Sequence, residues 1–269
     1  MGSIVIAERT IQYRAVAGPA GRGQRVLYVH GTGCNSEVWM PHMQAIADAH
    51  APVAIDLPGH GGSPGRGFRG IADYAYFVVE LARTLGWDRF VMVGHSMGGA
   101  IALLTALHHP ELLDGLVLVD TGARLRVSPT LLRGSREAAS AALTPVADRS
   151  WAYAGSTPQS VVDAVQKLTA PTDPWVTYGD WIADDTFDVM SRVKDIRVPT
   201  LIVCGAEDRL TPVKYHEFLA AQISGSRLTI IEGAGHWVFW EQPETFTQTV
   251  RGFLDSLPPS SARAARSKP

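Results

Sequence analysis

Six short, almost wholly apolar runs recur along this chain: Val26–Val29, Pro52–Ile55, Phe90–Val93, Leu116–Val119, Thr200–Cys204 and Leu228–Ile231. A strand with one wet face alternates apolar and polar residues; these runs do not, so they read as strands buried on both faces. Helical spacing fills the intervals, over residues 37–49, 71–86, 98–108 and 243–256. Gly86 reads as a C-cap, and the third of these helices stops before Pro110. Two shorter strands, 3–7 and 10–16, precede the first run, and a turn-rich link spans Gly18 to Gly23. Strands alternating with helices predict an α/β fold with a mostly parallel central sheet and helices on both faces. Such sheets carry functional groups at the carboxyl ends of their strands.

Residues 122–192 break the rhythm. They hold no clear buried strand but do hold Trp151, Tyr153, Trp175, Tyr178, Trp181 and Phe187. This segment reads as a mostly helical insertion folded over the sheet edge, between core segments 1–121 and 193–257. The tail 258–269, rich in Pro, Ser, Ala and Arg, reads as disordered.

The charge balance is −2, which disfavours nucleic acid as a partner because phosphate binding needs a basic face. No run of about eighteen apolar residues suggests a membrane span. The N-terminal Met1-Gly2-Ser3-Ile4-Val5-Ile6 is too short and broken for a signal peptide. Two cysteines, Cys34 and Cys204, are too few for a disulfide scaffold and read as reduced, buried thiols, so a cytoplasmic location is expected.

Gly94-His95-Ser96-Met97-Gly98-Gly99 lies between a buried strand and a helix, the context that a G-x-S-x-G nucleophile turn requires. A serine hydroxyl needs an adjacent base at neutral pH. His236, in Gly235-His236-Trp237 just past the last buried run, is the expected base. His30 and His95 compete for that role. His95 should point away from Ser96 if neighbours on an extended segment face opposite sides, and His30 reads as a structural hydrogen-bonding residue. The orienting acid is expected between serine and histidine, and Asp208 fits, with Glu207 as the local rival.

The oxyanion hole is expected from Met97 N–H and Thr32 N–H, with Gly33 as rival to Thr32. Substrate contacts are expected from Gly31, Gly33, Trp151, Trp175, Trp181 and Trp237. Gly31-Thr32-Gly33-Cys34-Asn35-Ser36 is a near miss to a dinucleotide fingerprint, with Ser36 in place of the third glycine. Cys34 lacks a matching histidine for a nucleophilic role. Arg124 and Arg126 could bind a substrate carboxylate, although solvated arginines are commoner. No metal-binding H-E-x-x-H occurs, and no metal or organic cofactor is implied.

Together these residues resemble the α/β-hydrolase superfamily. The resemblance runs from about residue 3 to 257 apart from the insertion. It includes His30-Gly31, the Asp56-Leu57-Pro58-Gly59-His60-Gly61-Gly62-Ser63 loop, the serine turn, the Gly205-to-Pro212 loop and Gly235-His236. It implies that 122–192 is a helical cap roofing the active site, and that Asp56 and His60 are scaffold residues. Serine at position 96 argues against the branches whose nucleophile is a carboxylate. The expected activity is hydrolysis of a small apolar ester or lactone through an acyl-enzyme. Carbon–carbon hydrolysis of a diketone, thioester cleavage, perhydrolysis and a non-catalytic small-molecule receptor are the alternatives.

Overall fold

The computed structural model describes residues 1–18, 23–143 and 150–258. Residues 259–269 of the expected tail, most of the turn-rich link and part of the insertion therefore lie outside the described residues.

An eight-stranded sheet forms the centre: β1 (Gly2–Ile6), β2 (Arg9–Ala15), β3 (Arg25–Val29), β4 (Ala51–Ile55), β5 (Phe90–His95), β6 (Leu113–Val119), β7 (Thr200–Gly205) and β8 (Arg227–Ile231). The spatial order is β1-β2-β4-β3-β5-β6-β7-β8. The pairs β1–β2 and β2–β4 are antiparallel, and every later pair is parallel. The helices are α1 (Met40–Ile46), α2 (Ile71–Thr84), α3 (Met97–His108), α4 (Pro129–Ser140), α5 (Gln159–Thr169), α6 (Pro174–Thr186), α7 (Val213–Gln222), α8 (Val238–Glu241) and α9 (Pro243–Ser256).

Five of the six apolar runs are explained by a core on each face; the sixth, residues 228–231 of β8, corrects an expectation, because β8 is an edge strand whose Leu228 and Thr229 are only half-buried and whose Ile230 is exposed. Leu27, Val29, Met92, Leu116 and Leu118 pack with residues of α2, α3 and α7 on one side. Val26, Tyr28, Val91, Val93, Val117 and Val119 pack with α1 and α9 on the other. Burying each such side chain contributes roughly 1.5–3 kcal/mol, which sets the strand register, because a one-residue slip would exchange the two faces.

One helix starts later than its periodicity predicts. Over 37–49 the chain first makes a 3₁₀ turn, Ser36–Trp39, capped by the Asn35 side chain, and α1 begins only at Met40. Pro41 explains the break: lacking an N–H, it fits only the first turn of a helix.

Between β6 and β7 the described residues contain α4, α5 and α6 and no strand, apart from an isolated bridge between Arg124 and Asp188. Helix α4 packs on α6, and Val162 and Val165 of α5 join the core on the α1–α9 side of the sheet.

Candidate active site

Ser96 sits between β5 and α3 with φ 54° and ψ −118°, a conformation outside both strand and helix. Two glycines make that turn possible. A Cβ on Gly94 would lie 2.1 Å from the Gly98 carbonyl oxygen, and one on Gly98 would lie 2.3 Å from that of Val29. Backbone strain of this kind persists only where the surroundings over-determine it. The N–H groups of Gly99 and Ala100 donate to Ser96 O. Met97, at the first position of α3, is among the helix-start groups with no intrahelical acceptor.

Asp208 follows β7 and His236 follows β8. His236 Nδ1 donates to Asp208 Oδ2 at 2.8 Å. Asp208 Oδ2 also accepts from Thr211 Oγ1 at 2.7 Å, and Oδ1 accepts from the N–H groups of Leu210 and Thr211. Burial alone would raise the Asp208 pKa, but the His236 ring and these donors outweigh it and hold the carboxyl at about 2. Glu207 turns the other way and accepts from Gly155 N–H, which removes it as the partner of His236.

His95 corrects an expectation. It does not point away: it lines the same cavity as Ser96, and its Nε2 donates to His236 O at 2.8 Å. The alternation rule fails because Ser96 is not extended. Burial, then the neighbouring His236, lowers the His95 pKa to about 3, so its ring is neutral. His30 is a structural residue, donating from Nδ1 to Gly31 O and accepting Leu57 N–H at Nε2. Asp56 accepts from Ser36 and Gly62 N–H groups. Asp120, at the end of β6, accepts from Gly205 and Val238 N–H, so it ties loops together rather than facing His236.

The loop His30–Asn35 after β3 is gripped by the insertion. Gly33 N–H donates to Asp180 Oδ2 at 2.9 Å, and Gly33 O accepts from Thr172 Oγ1. Thr32 Oγ1 donates to Asp184 Oδ2 at 2.7 Å, and Asn35 Nδ2 to Leu168 O. The Gly33 N–H is therefore occupied, which counts against Gly33 as the rival donor. Asp180 also accepts from Tyr74 Oη at 2.6 Å and is paired with His60 Nε2 at 2.8 Å. Burial would lower the His60 pKa, but Asp180 outweighs it and raises it.

Ser96, His236, Thr32, Trp151, Trp181 and Trp237 line one cavity of about 730 Å³. Among its described lining residues none is Asp, Glu, Lys or Arg. Three expected substrate contacts are not among the residues lining this cavity. Trp175 is 49% exposed and borders a separate hollow with Arg66 and Arg69. Trp175 and Trp181 are six residues apart on α6, which puts them on different faces of a 3.6-residue helix. Gly31 packs against Ser96, where a Cβ would sit 3.0 Å from the serine Cβ, and Gly33 packs against Thr177. Arg124 pairs with Asp188, Arg126 donates to Asp185 O, and neither lines the cavity. Cys34 and Cys204 are both buried and neither is in a disulfide; burial, then Asp120 and Asp208, push the Cys204 thiol up.

Sequence reasoning missed Asp180, Asp184 and Glu241. Glu241 accepts from the N–H groups of Ala154, Gly235 and Trp237 and from Thr157 Oγ1, joining the His236 loop to the insertion. The available signal for the two aspartates was their i, i+4 spacing on the face of α6 that also carries buried Val176 and Ala183.

Residues 24–243 match the family model described as the alpha/beta hydrolase fold. The chain belongs to that family, and its class is hydrolase. It is similar to the pimeloyl-[acyl-carrier protein] methyl ester esterase of Pectobacterium carotovorum subsp. carotovorum, with 28% identity over 88% of this chain and 96% of that protein. Among solved structures it is similar to a thermophilic esterase, with 34% identity, a TM-score of 0.79, and coverage of 96% of this chain and 98% of the other. The enol-lactonase of Burkholderia xenovorans LB400 shares the fold at a TM-score of 0.87 and 23% identity, over 95% and 100% of the two chains. Among the described residues no helix is long and apolar enough to cross a membrane, and no group of three or more His, Cys, Asp or Glu is placed to hold a metal ion.

Proposed function

We propose that this chain hydrolyses an uncharged carboxylic ester or lactone with an apolar acyl or alkyl group, using Ser96 as nucleophile, His236 as base and Asp208 to orient the imidazole. The observation that carries this reading is the 2.8 Å contact of His236 Nδ1 with Asp208, beside a strained Ser96 on the wall of the same cavity. With Nδ1–H committed to the carboxylate, the proton-accepting lone pair of the ring is on Nε2.

The Ser96 Oγ–H proton passes to His236 Nε2 as Oγ bonds to the substrate carbonyl carbon. The carbonyl oxygen takes up negative charge, and the N–H groups of Thr32 and Met97 stabilise it. Collapse breaks the bond to the alkoxy group, which leaves with the proton from His236; in a lactone it stays tethered. Water then repeats the sequence on the acyl-enzyme, and the acid departs.

The helices of 122–192 act as a cap over this site. Its tryptophans supply apolar area, and the lack of charged residues among the described lining favours an uncharged substrate because a buried unpaired charge is costly. The esterases among the similar proteins support the ester reading.

The test is a panel of p-nitrophenyl esters, lactones, thioesters and vinylogous diketones, run on the wild type and on Ser96→Ala. Turnover of esters or lactones that drops at least about 10³-fold in the variant supports the scheme. Turnover confined to thioesters or diketones moves the chemistry elsewhere on the same residues, and near-normal turnover by Ser96→Ala overturns it.

A further inference from the structure

We infer that Asp180 and Asp184 of α6 are positioning residues for the oxyanion hole, gripping the loop at the Thr32 side chain and at the next amide along and so making the hole depend on how the insertion is seated. The inference rests on the serine-hydrolase reading and adds to it a requirement for a part of the chain remote from Ser96 in sequence.

Four hydrogen bonds from the insertion reach residues Thr32, Gly33 and Asn35. Two of these come from carboxyls on successive turns of one helix. Asp184 holds the Thr32 side chain, and Asp180 holds the next amide along, that of Gly33. The Thr32 side chain and the Thr32–Gly33 peptide plane, two of the groups on Thr32 Cα, are both fixed by α6, and Gly31 O, in the same peptide plane as Thr32 N–H, accepts from Cys34 N–H and His30 Nδ1, so the Thr32 N–H has little freedom to turn. Asp180 and Asp184 are 0% and 2% exposed, so water does not compete for these bonds. Asp180 is itself locked by Tyr74 of α2 and by His60. The chain thus runs from the core through α6 and back to the loop. No aspartate here touches substrate: neither lines the cavity, whereas Thr32 does.

A hole that is displaced by about 1 Å costs on the order of 10² in rate, because the donors must meet the oxyanion rather than the ground-state carbonyl. Substrate binding in an apolar cavity does not depend on that alignment. The effect of weakening the grip therefore belongs in kcat and leaves KM almost unchanged.

The experiment measures kcat and KM on p-nitrophenyl butyrate, with thermal melting, for the wild type, Asp184→Ala, Thr32→Val, Thr32→Ser, the Asp184→Ala/Thr32→Val double variant and Ser96→Ala. The expected result is a 10- to 100-fold loss of kcat in Asp184→Ala and Thr32→Val, with KM within about threefold. Thr32→Ser keeps the hydroxyl and restores kcat to within about threefold of the wild type. The double variant loses no more than the worse single variant, as for two partners in one interaction. Folded single variants with kcat within twofold of the wild type overturn the inference, as does full additivity in the double variant. If Asp184→Ala does not fold, Thr32→Val and Thr32→Ser decide alone: equal activity in the two overturns it. An active Ser96→Ala sinks the serine reading itself, whereas an inactive Ser96→Ala beside an unchanged Thr32→Val sinks only the positioning role.

Discussion

At the scale of single residues, the site depends on a carboxylate that is over-supplied with donors. Asp208 accepts from Thr211 twice, from Leu210 and from His236. Its folded pKa, about 2, lies below the usual carboxylate value of 3.8. Its contribution to stability is therefore present above about pH 4 and is lost as pH falls through about 2, because the unfolded chain binds the proton first. The stability difference between the wild type and Asp208→Asn, measured by urea unfolding, should shrink from pH 5 to pH 2. A constant gap would contradict this. The same variant should lose about 10³–10⁴ in kcat, since an amide can hold the wrong imidazole tautomer. The tryptophans give a second residue-scale contrast. Trp181→Ala should raise KM for aromatic or hexanoate esters by about tenfold, as expected when 1–2 kcal/mol of apolar contact is lost. Trp175→Ala should leave both constants within about twofold, since its ring borders a different hollow.

At the scale of elements, the β5–α3 turn and helix α6 carry different risks. Gly94→Ala would drive a Cβ to within 2.1 Å of the Gly98 carbonyl oxygen. It should cost about 3 kcal/mol or more and lower the melting temperature sharply. A variant with wild-type melting and activity would show that the turn can relax. Helix α6 carries a buried acid. Burial raises the Asp184 pKa; the Thr32 hydroxyl lowers it; Asp180 and Asp185 raise it further, to about 8. A folded pKa raised above the unfolded value contributes stability that is full below about pH 4 and is lost as pH rises through about 8. Wild-type melting should therefore fall more between pH 6 and pH 9 than that of Asp184→Asn, and parallel curves would contradict it. The buried strands and the strand–turn–helix around Ser96 were legible in the sequence because an apolar run or a glycine pair is a local pattern. The grip of Asp180 and Asp184 was not: an i, i+4 acid pair reads as a solvated face until the fold sets Thr32 and Gly33 against it. His95 misled for a related reason, because alternation assumes a backbone that Ser96 does not adopt. Trp175 counted as an aromatic of the insertion without regard to which face of α6 it occupies.

At the scale of the whole molecule, the parallel sheet brings the ends of β3, β5, β7 and β8 together, so that loops far apart in sequence share one cavity. The insertion lines part of that cavity and is bonded to the loop at 30–35, to Glu207 and to Glu241. A core and an insertion joined through the reacting loops should act as one unit, and trapping Ser96 samples that unit directly. The most direct measurement is peptide mass mapping after treatment with an uncharged alkyl fluorophosphonate. The account predicts one adduct per chain, on Ser96, formed much more slowly in His236→Ala and absent from Ser96→Ala. An adduct on another residue, or equal labelling of the His236→Ala protein, would contradict it.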